Sequence, residues 1–538
     1  MCTAADLRMA AVRVLGFRAR CFAAPRKVIG RVCAVLLLAL AVPPAHAAEP
    51  VSDRQAIHIL DRLAYGPSAE DLRHLKSLGI ERYIAEQLDP ASLTEPPELT
   101  ARVAALDTLV LTPVELFQQY GPPRPADGSK PTPEQVRERR EKARTILQQA
   151  QEARLLRAVY SRRQLAEVMV DFWYNHFNVF ANKGQSRLWF AAYEAQAIRP
   201  NAFGHFRDLL VATARHPAML FYLDNAQNAA PGSKRPDGGE AGLNENYARE
   251  LMELHTLGAD GGYTQDDVVA LARILTGWTI ARTPKASPDG SGFAFNSAHH
   301  GTGPKKFLGH DMEEGGEAEG LAALDILARH PATARRIAFE LAQYFVADQP
   351  SPALVERLAA RFAATDGNIG EVLKTLFASR EFRDSIGGKY KTPYRYVVSA
   401  VRAAGVPLAN PKPLLSAMAR QGMPLYGCQT PDGYRDTADA WLSPDASLLR
   451  VSFATALASG NLPVAAAQQT PEVALAMTPR PEVMAVSSVE PKREPVDAEA
   501  LQRLLGAALS HSARQVIAAV PPAQRAALIL GSPDFMRR

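Results

Sequence analysis

Residues 242–263 read GLNENYARELMELHTLGADGGY, and their spacing settles the fold class. At about 100° per residue, Asn246, Arg249, Glu250 and Glu253 fall on one face of a helix, with Glu245 at its edge. Tyr247, Ala248, Leu251, Leu254 and His255 fall on the other. A polar face opposite an apolar one is the pattern of an amphipathic helix.

The same period recurs on both sides of this stretch. Ile57, Leu60 and Leu63 share a face, and Ser68 followed by Asp71 and then Gly79 reads as a capped and terminated helix. A Pro/Gly-rich loop covers 120–132, after which Thr132, Pro133 and Gln135 start a long helix with a charged, solvent-facing first half. In LAEVMVDFWYNHFNVF, residues Leu165, Val168, Met169, Phe172, Trp173, His176 and Phe177 form an apolar stripe, while Asp171, Asn175 and Asn178 form a polar one. A helix covers about 203–215 and continues past Pro217. Thr264 caps the next, which runs towards Trp278. Residues 283–318 read as a long loop, and helices resume from about 319. No strand alternation stands out. The expectation is a mainly α protein, a large multi-helix domain with long Pro/Gly-rich loops and little or no β-sheet. Its core spans 48–460, a Pro/Ala-rich linker spans 461–495, and a C-terminal helical segment at 496–538 packs on the core.

The first 47 residues belong to a different class. Arg8, Arg13, Arg18, Arg20, Arg26, Lys27 and Arg31 oppose a single Asp6; an apolar run from Val32 to Val42 follows, and Ala45 and Ala47 complete a small-x-small cleavage pattern. This is the architecture of a secretory signal peptide, and the apolar run is too short for a stable membrane span. The expected mature protein is periplasmic or secreted, not an integral membrane protein. The whole chain carries +5 and the leader +6, so the remainder is near −1. That removes nucleic acid as a partner on charge grounds. Three of the four cysteines leave with the leader, so Cys428 has no partner for an intramolecular disulfide.

Several side chains carry candidate chemistry. Glu250 and Glu253, an i,i+3 pair, suit either a divalent cation or acid–base work with one raised pKa, with Arg249 orienting an anionic substrate. The competing reading is a solvated charged face with Glu245–Arg249 as an ordinary i,i+4 pair. His176 and His255 sit on apolar stripes, where a histidine is either a core residue or, if the two meet between helices, part of a metal or acid–base site. His300, in a loop with His299 and His310, is a further candidate metal ligand. Asp224 and Asn246 flank the 229–242 loop and form a weaker, oxygen-rich candidate for calcium, or a capping network.

LDRLAYGPSAEDLRHLKSLGIERYIAEQLDP, DFWYNHFNVF and, most specifically, NENYARELMELHTLGADGGYTQDDVVALARILTGWT together resemble the bacterial domain-of-unknown-function family 1800. KKFLG, GMPLYGCQTPDGY and the terminal SPDFMRR resemble its later positions. The chain departs from the pattern at His300-Gly301, where His-Asp is expected. The resemblance implies a secreted or periplasmic, mainly helical protein whose genes often neighbour those of family 1501, secreted sulfatase-like proteins. It brings no established reaction. Two functions remain open: an envelope hydrolase-like enzyme using a divalent metal ion or paired carboxylates (Glu250, Glu253 and His255, with Arg249), and a non-catalytic binding or assembly factor for a family-1501 partner.

Overall fold

Helix boundaries follow local side-chain chemistry. The computed structural model describes residues 51–123, 129–234, 239–465 and 494–538. The segment read as a signal peptide, and most of the expected linker, lie outside the described residues. Ser68 Oγ accepts from the Asp71 N–H to open helix Ala69–Leu78, which stops at Gly79 with φ +83°. Thr132 with Gln135, and Thr264 with Asp267, form reciprocal capping boxes at helices Pro133–Tyr160 and Gln265–Ile274.

The described residues contain 24 α-helices and two two-stranded antiparallel sheets, so the protein is mainly α. One sheet pairs Trp278–Ile280 with Phe293–Phe295, the other Lys305–Phe307 with His310–Met312. Both involve the region that reads as loop, because three-residue strands are too short to show alternation. The helix expected to reach Trp278 ends at Ile274 instead. Gly277 makes the turn into the strand at φ +82°, and a Cβ there would lie 2.6 Å from the Asn296 carbonyl oxygen.

Helix Gln164–His176 lies deep in the core. Trp173 is fully buried and its indole N–H donates to the Ala202 carbonyl at 3.1 Å. Helix Pro331–Phe345 packs along Pro352–Ala364, and helix Pro444–Ala458 packs along Pro522–Leu530. A buried ion network ties the centre together. Arg154 bridges Asp171 (2.5 Å) and Glu194 (3.0 Å), Arg199 pairs with Glu167 and Glu194, and the Tyr426 hydroxyl donates to Glu194 at 2.7 Å. Removing one member of such a network strands a buried charge, which costs about 3–5 kcal/mol.

Candidate functional site

A cleft of about 420 Å3 opens where four elements converge. The last turns of Gln164–His176 supply Asp171, Asn175 and His176. Helix Pro331–Phe345 supplies Arg336, Glu340 and Tyr344, the start of Pro393–Ala404 supplies Arg395, and the 423–437 loop supplies Asp432, Tyr434, Arg435 and Asp436.

The loop is clamped onto the helix end. Asn175 Nδ2 donates to the Tyr434 carbonyl at 2.8 Å and its Oδ1 accepts from the Tyr434 N–H at 2.7 Å. Asn178 donates to the carbonyls of Cys428 and Thr430. Asn175 and Asn178 of the polar stripe are thus the seat of the cleft's loop wall, held by paired amide contacts.

His176 stands at the floor with a side chain 3% exposed. Nδ1 lies 2.6 Å from Glu340 Oε2, and Nε2 lies 3.0 Å from the carbonyl oxygen of His255. A carbonyl only accepts, so Nε2 donates there, and Nδ1 is taken up by the Glu340 carboxylate, so neither nitrogen is free for a metal. Arg336 Nε sits 3.0 Å from the other Glu340 oxygen. Burial would raise the Glu340 carboxyl, but His176 and Arg336 outweigh it and hold the group below its ordinary value.

The other histidines go elsewhere. His255 lies beyond the helix, which ends at Glu253 rather than running through it. It is fully buried, its ring 6.0 Å from His176 and 5.1 Å from Phe177, and among the described residues neither ring nitrogen has a hydrogen-bond partner. Burial drives its pKa well down, leaving it neutral. The two histidines therefore meet, but through the His255 backbone. His300 is not in the cleft. Its Nδ1 donates to the Thr276 carbonyl at 2.9 Å and its Nε2 faces Glu319 at 3.2 Å, while Lys305 pairs with Glu319 at 2.7 Å.

The oxygen-rich pair is also committed. Asp224 pairs with Lys183 at 3.2 Å, and Asn246 Nδ2 donates to the Leu223 carbonyl. Asn225, Asn228 and Asn244 relay hydrogen bonds among themselves and to nearby backbone, which is a capping network rather than an open oxygen cage. Among the described residues no group of three or more His, Cys, Asp or Glu is disposed to hold a metal ion.

Residues 58–537 match the family model described as a protein of unknown function, DUF1800. The chain belongs to the DUF1800 family. No curated protein and no solved structure matches it. Among the described residues of this DUF1800 chain, Glu250 is the one carboxylate whose pKa is shifted upward. Glu250 precedes the cleft-lining Leu254 by one helical turn. Burial first, then the charge of Glu253, pushes the Glu250 carboxyl up; Arg249 opposes this and Asp432 adds to it. The other carboxylates with a displaced pKa among the described residues, such as Glu194, Glu319 and Glu340, are shifted down by ion pairs or hydrogen bonds. Glu253 accepts from the Tyr263 hydroxyl at 3.4 Å, and Arg249 is held by Glu245 at 3.1 Å and by Gln265 at 3.0 Å.

Glu340 and Arg395 carry no local signal in the sequence, and Asp432 is marked only as part of the GMPLYGCQTPDGY stretch. Each comes from a segment far along the chain, whereas the sequence marks Asp171, Asn175 and His176 by their stripes.

Proposed function

We propose that this chain is an exported envelope enzyme of hydrolase type, working by carboxylate acid–base chemistry at the edge of the cleft. The observation that carries the reading is the half-buried Glu250, whose pKa is raised while its neighbours Glu253 and Asp432 supply negative charge. Two carboxylates with separated pKa values divide into a proton donor and a base. Glu250 is the donor to a leaving group, and Asp432 or Glu253 draws a proton from water. Arg249 stands beside them to orient an anionic part of the substrate. Export rests on the basic, apolar and small-residue pattern of residues 1–47. No helix among the described residues is long and apolar enough to cross a membrane. The metal form of the reading, with His176, His255, His300 and Glu250 as ligands, draws no support from the contacts above, because His176 and His300 have spent both ring nitrogens.

A second reading is a non-catalytic binding or assembly factor acting with a secreted sulfatase-like protein of family 1501. It is favoured by the cleft walls, where Asp171, Glu340 and Asp436 are already paired within the fold. The test is a carboxyl-carbon NMR titration of residues 48–538 alongside release of soluble fragments from purified envelope material. The acid–base reading expects Glu250 to ionise above the ordinary glutamate range and Glu250→Gln to abolish release. An ordinary Glu250 titration, or unchanged release by the variant, sinks it in favour of the binding reading.

A further inference from the structure

A pocket of about 170 Å3 lies apart from the acid–base site. Helix Pro133–Tyr160 supplies Val136, Arg139 and Arg140. The end of helix Pro113–Tyr120 and the turn after it supply Tyr120 and Pro122, and the start of helix Ser186–Tyr193 supplies Arg187 and Leu188. Apolar side chains and guanidinium groups thus share one small depression, and no carboxylate lines it among the described residues.

The helix period sorts the charges. At about 100° per residue, Val136, Arg139, Arg140 and Ala143 share one face of the long helix, while Glu134, Glu138 and Glu141 fall on the opposite face. Two of those carboxylates are also spent there, Glu134 on Arg137 at 3.6 Å and Glu138 on Lys142 at 2.7 Å. Among the described residues no carboxylate pairs with Arg139, Arg140 or Arg187. Arg139 donates to the Gln119 carbonyl, and Arg187 Nε donates to the Gly184 carbonyl at 2.7 Å. These neutral acceptors orient two of the three guanidinium groups and leave their charge uncompensated. Burial first, then the charge of Arg140, holds Arg187 below its ordinary value, as expected of like charges brought to one place. Helix Ser186–Tyr193 begins here without a side-chain cap, so the positive end of its dipole adds to the same field.

We infer that this pocket binds a phosphate ester of an apolar alcohol, with the phosphate against Arg139, Arg140 and Arg187 and the ester substituent against Tyr120, Pro122, Val136 and Leu188. Guanidinium groups match phosphate oxygens in paired, charge-assisted hydrogen bonds. A solvated basic face would not need an apolar wall beside its charges, whereas an ester uses both. The pocket is smaller than sites that enclose a whole drug-sized ligand, so it takes the phosphate and the first atoms of the substituent. That chemistry is common to lipid headgroups and to soluble organophosphates. The inference stands independently of the acid–base reading, since it needs neither Glu250 nor any turnover.

The test titrates phenyl phosphate and inorganic phosphate, by calorimetry at low ionic strength, into residues 48–538, which contain every described residue. Phenyl phosphate is expected to bind saturably and about tenfold more tightly than inorganic phosphate, because only the ester reaches the apolar wall. Replacing two arginines together, Arg140→Gln with Arg187→Gln, is expected to weaken phenyl phosphate by about tenfold or more. Arg140 is exposed, so Arg140→Gln alone serves should the double variant fail to fold. Arg144→Gln, off the pocket face, is expected to leave binding within about twofold. Sedimentation with phosphatidylglycerol vesicles but not with phosphatidylcholine vesicles, lost in the pocket variant, assigns the ester to a lipid headgroup. Phenyl phosphate binding without sedimentation assigns it to a soluble organophosphate. No saturable binding of phenyl phosphate, equal affinity for the two phosphates, or an equal loss from Arg144→Gln overturns the inference.

Discussion

The His176 imidazole joins three segments at one point: it donates to Glu340 from Nδ1 at 2.6 Å and to the His255 carbonyl from Nε2 at 3.0 Å. Helix Gln164–His176, helix Pro331–Phe345 and the turn after Glu253 are thus held by one ring. The arrangement resembles the orienting carboxylate–histidine pair of general base catalysis, but the outward nitrogen is already spent on a backbone acceptor. The contact is a clamp, and it explains why a histidine belongs on the apolar stripe of that helix.

Glu340→Gln should therefore lower stability by about 3 kcal/mol, measured by urea unfolding at pH 7, because it removes the carboxylate that faces both His176 and Arg336. The pH dependence has a definite sign. The folded Glu340 pKa lies below the unfolded value, so its contribution is complete above the unfolded pKa of about 4.3 and fades as pH falls through the folded value. The variant should lose that acid limb. A variant as stable as the parent at pH 7 would remove the clamp.

Two other buried histidines should make the protein sensitive at milder acidity. His58 is pushed down to about 4 by burial and by Arg62, and His216 to about 3 by burial. Both pKa values lie below the unfolded value of about 6.5, so protonation favours the unfolded chain. Stability is complete above that pH and falls as pH decreases towards the folded values, by about 2 kcal/mol per histidine between pH 6.5 and 5. His216 Nδ1 also caps helix Pro217–Tyr222 by accepting from the Ala218 N–H, a role asparagine can take. His216→Asn should keep stability at pH 7 within about 1 kcal/mol and reduce the loss at pH 5 by His216's share. An unchanged pH slope would contradict this.

The cleft's loop wall depends on one glycine. Gly433 has φ +73°, and a Cβ there would lie 2.3 Å from the Asn175 carbonyl oxygen. Gly433→Ala combines a strained backbone with a clash against helix backbone, so it should cost about 2–3 kcal/mol. It should also speed amide exchange at Tyr434, whose N–H is bound to Asn175 Oδ1. Protection at Tyr434 equal to the parent's would show that the wall tolerates the change.

Much of this molecule is local chemistry. Ser68, Thr132 and Thr264 start helices because a side-chain oxygen three residues before a backbone N–H caps it wherever it occurs, and the apolar stripe of Gln164–His176 puts Trp173 in the core by its period alone. The face shared by Glu250 and Glu253 follows from the same period. Tertiary structure decided the rest. His255 falls outside its helix because the chain turns after Glu253, and His300 goes to Glu319 rather than to His176. The cleft joins Asn175, Glu340, Arg395 and Asp432 from positions up to hundreds of residues apart. Local period and capping are written in neighbouring residues, whereas the pairing of charges such as His176 with Glu340 depends on which helices pack together, and that is settled only when the whole core closes.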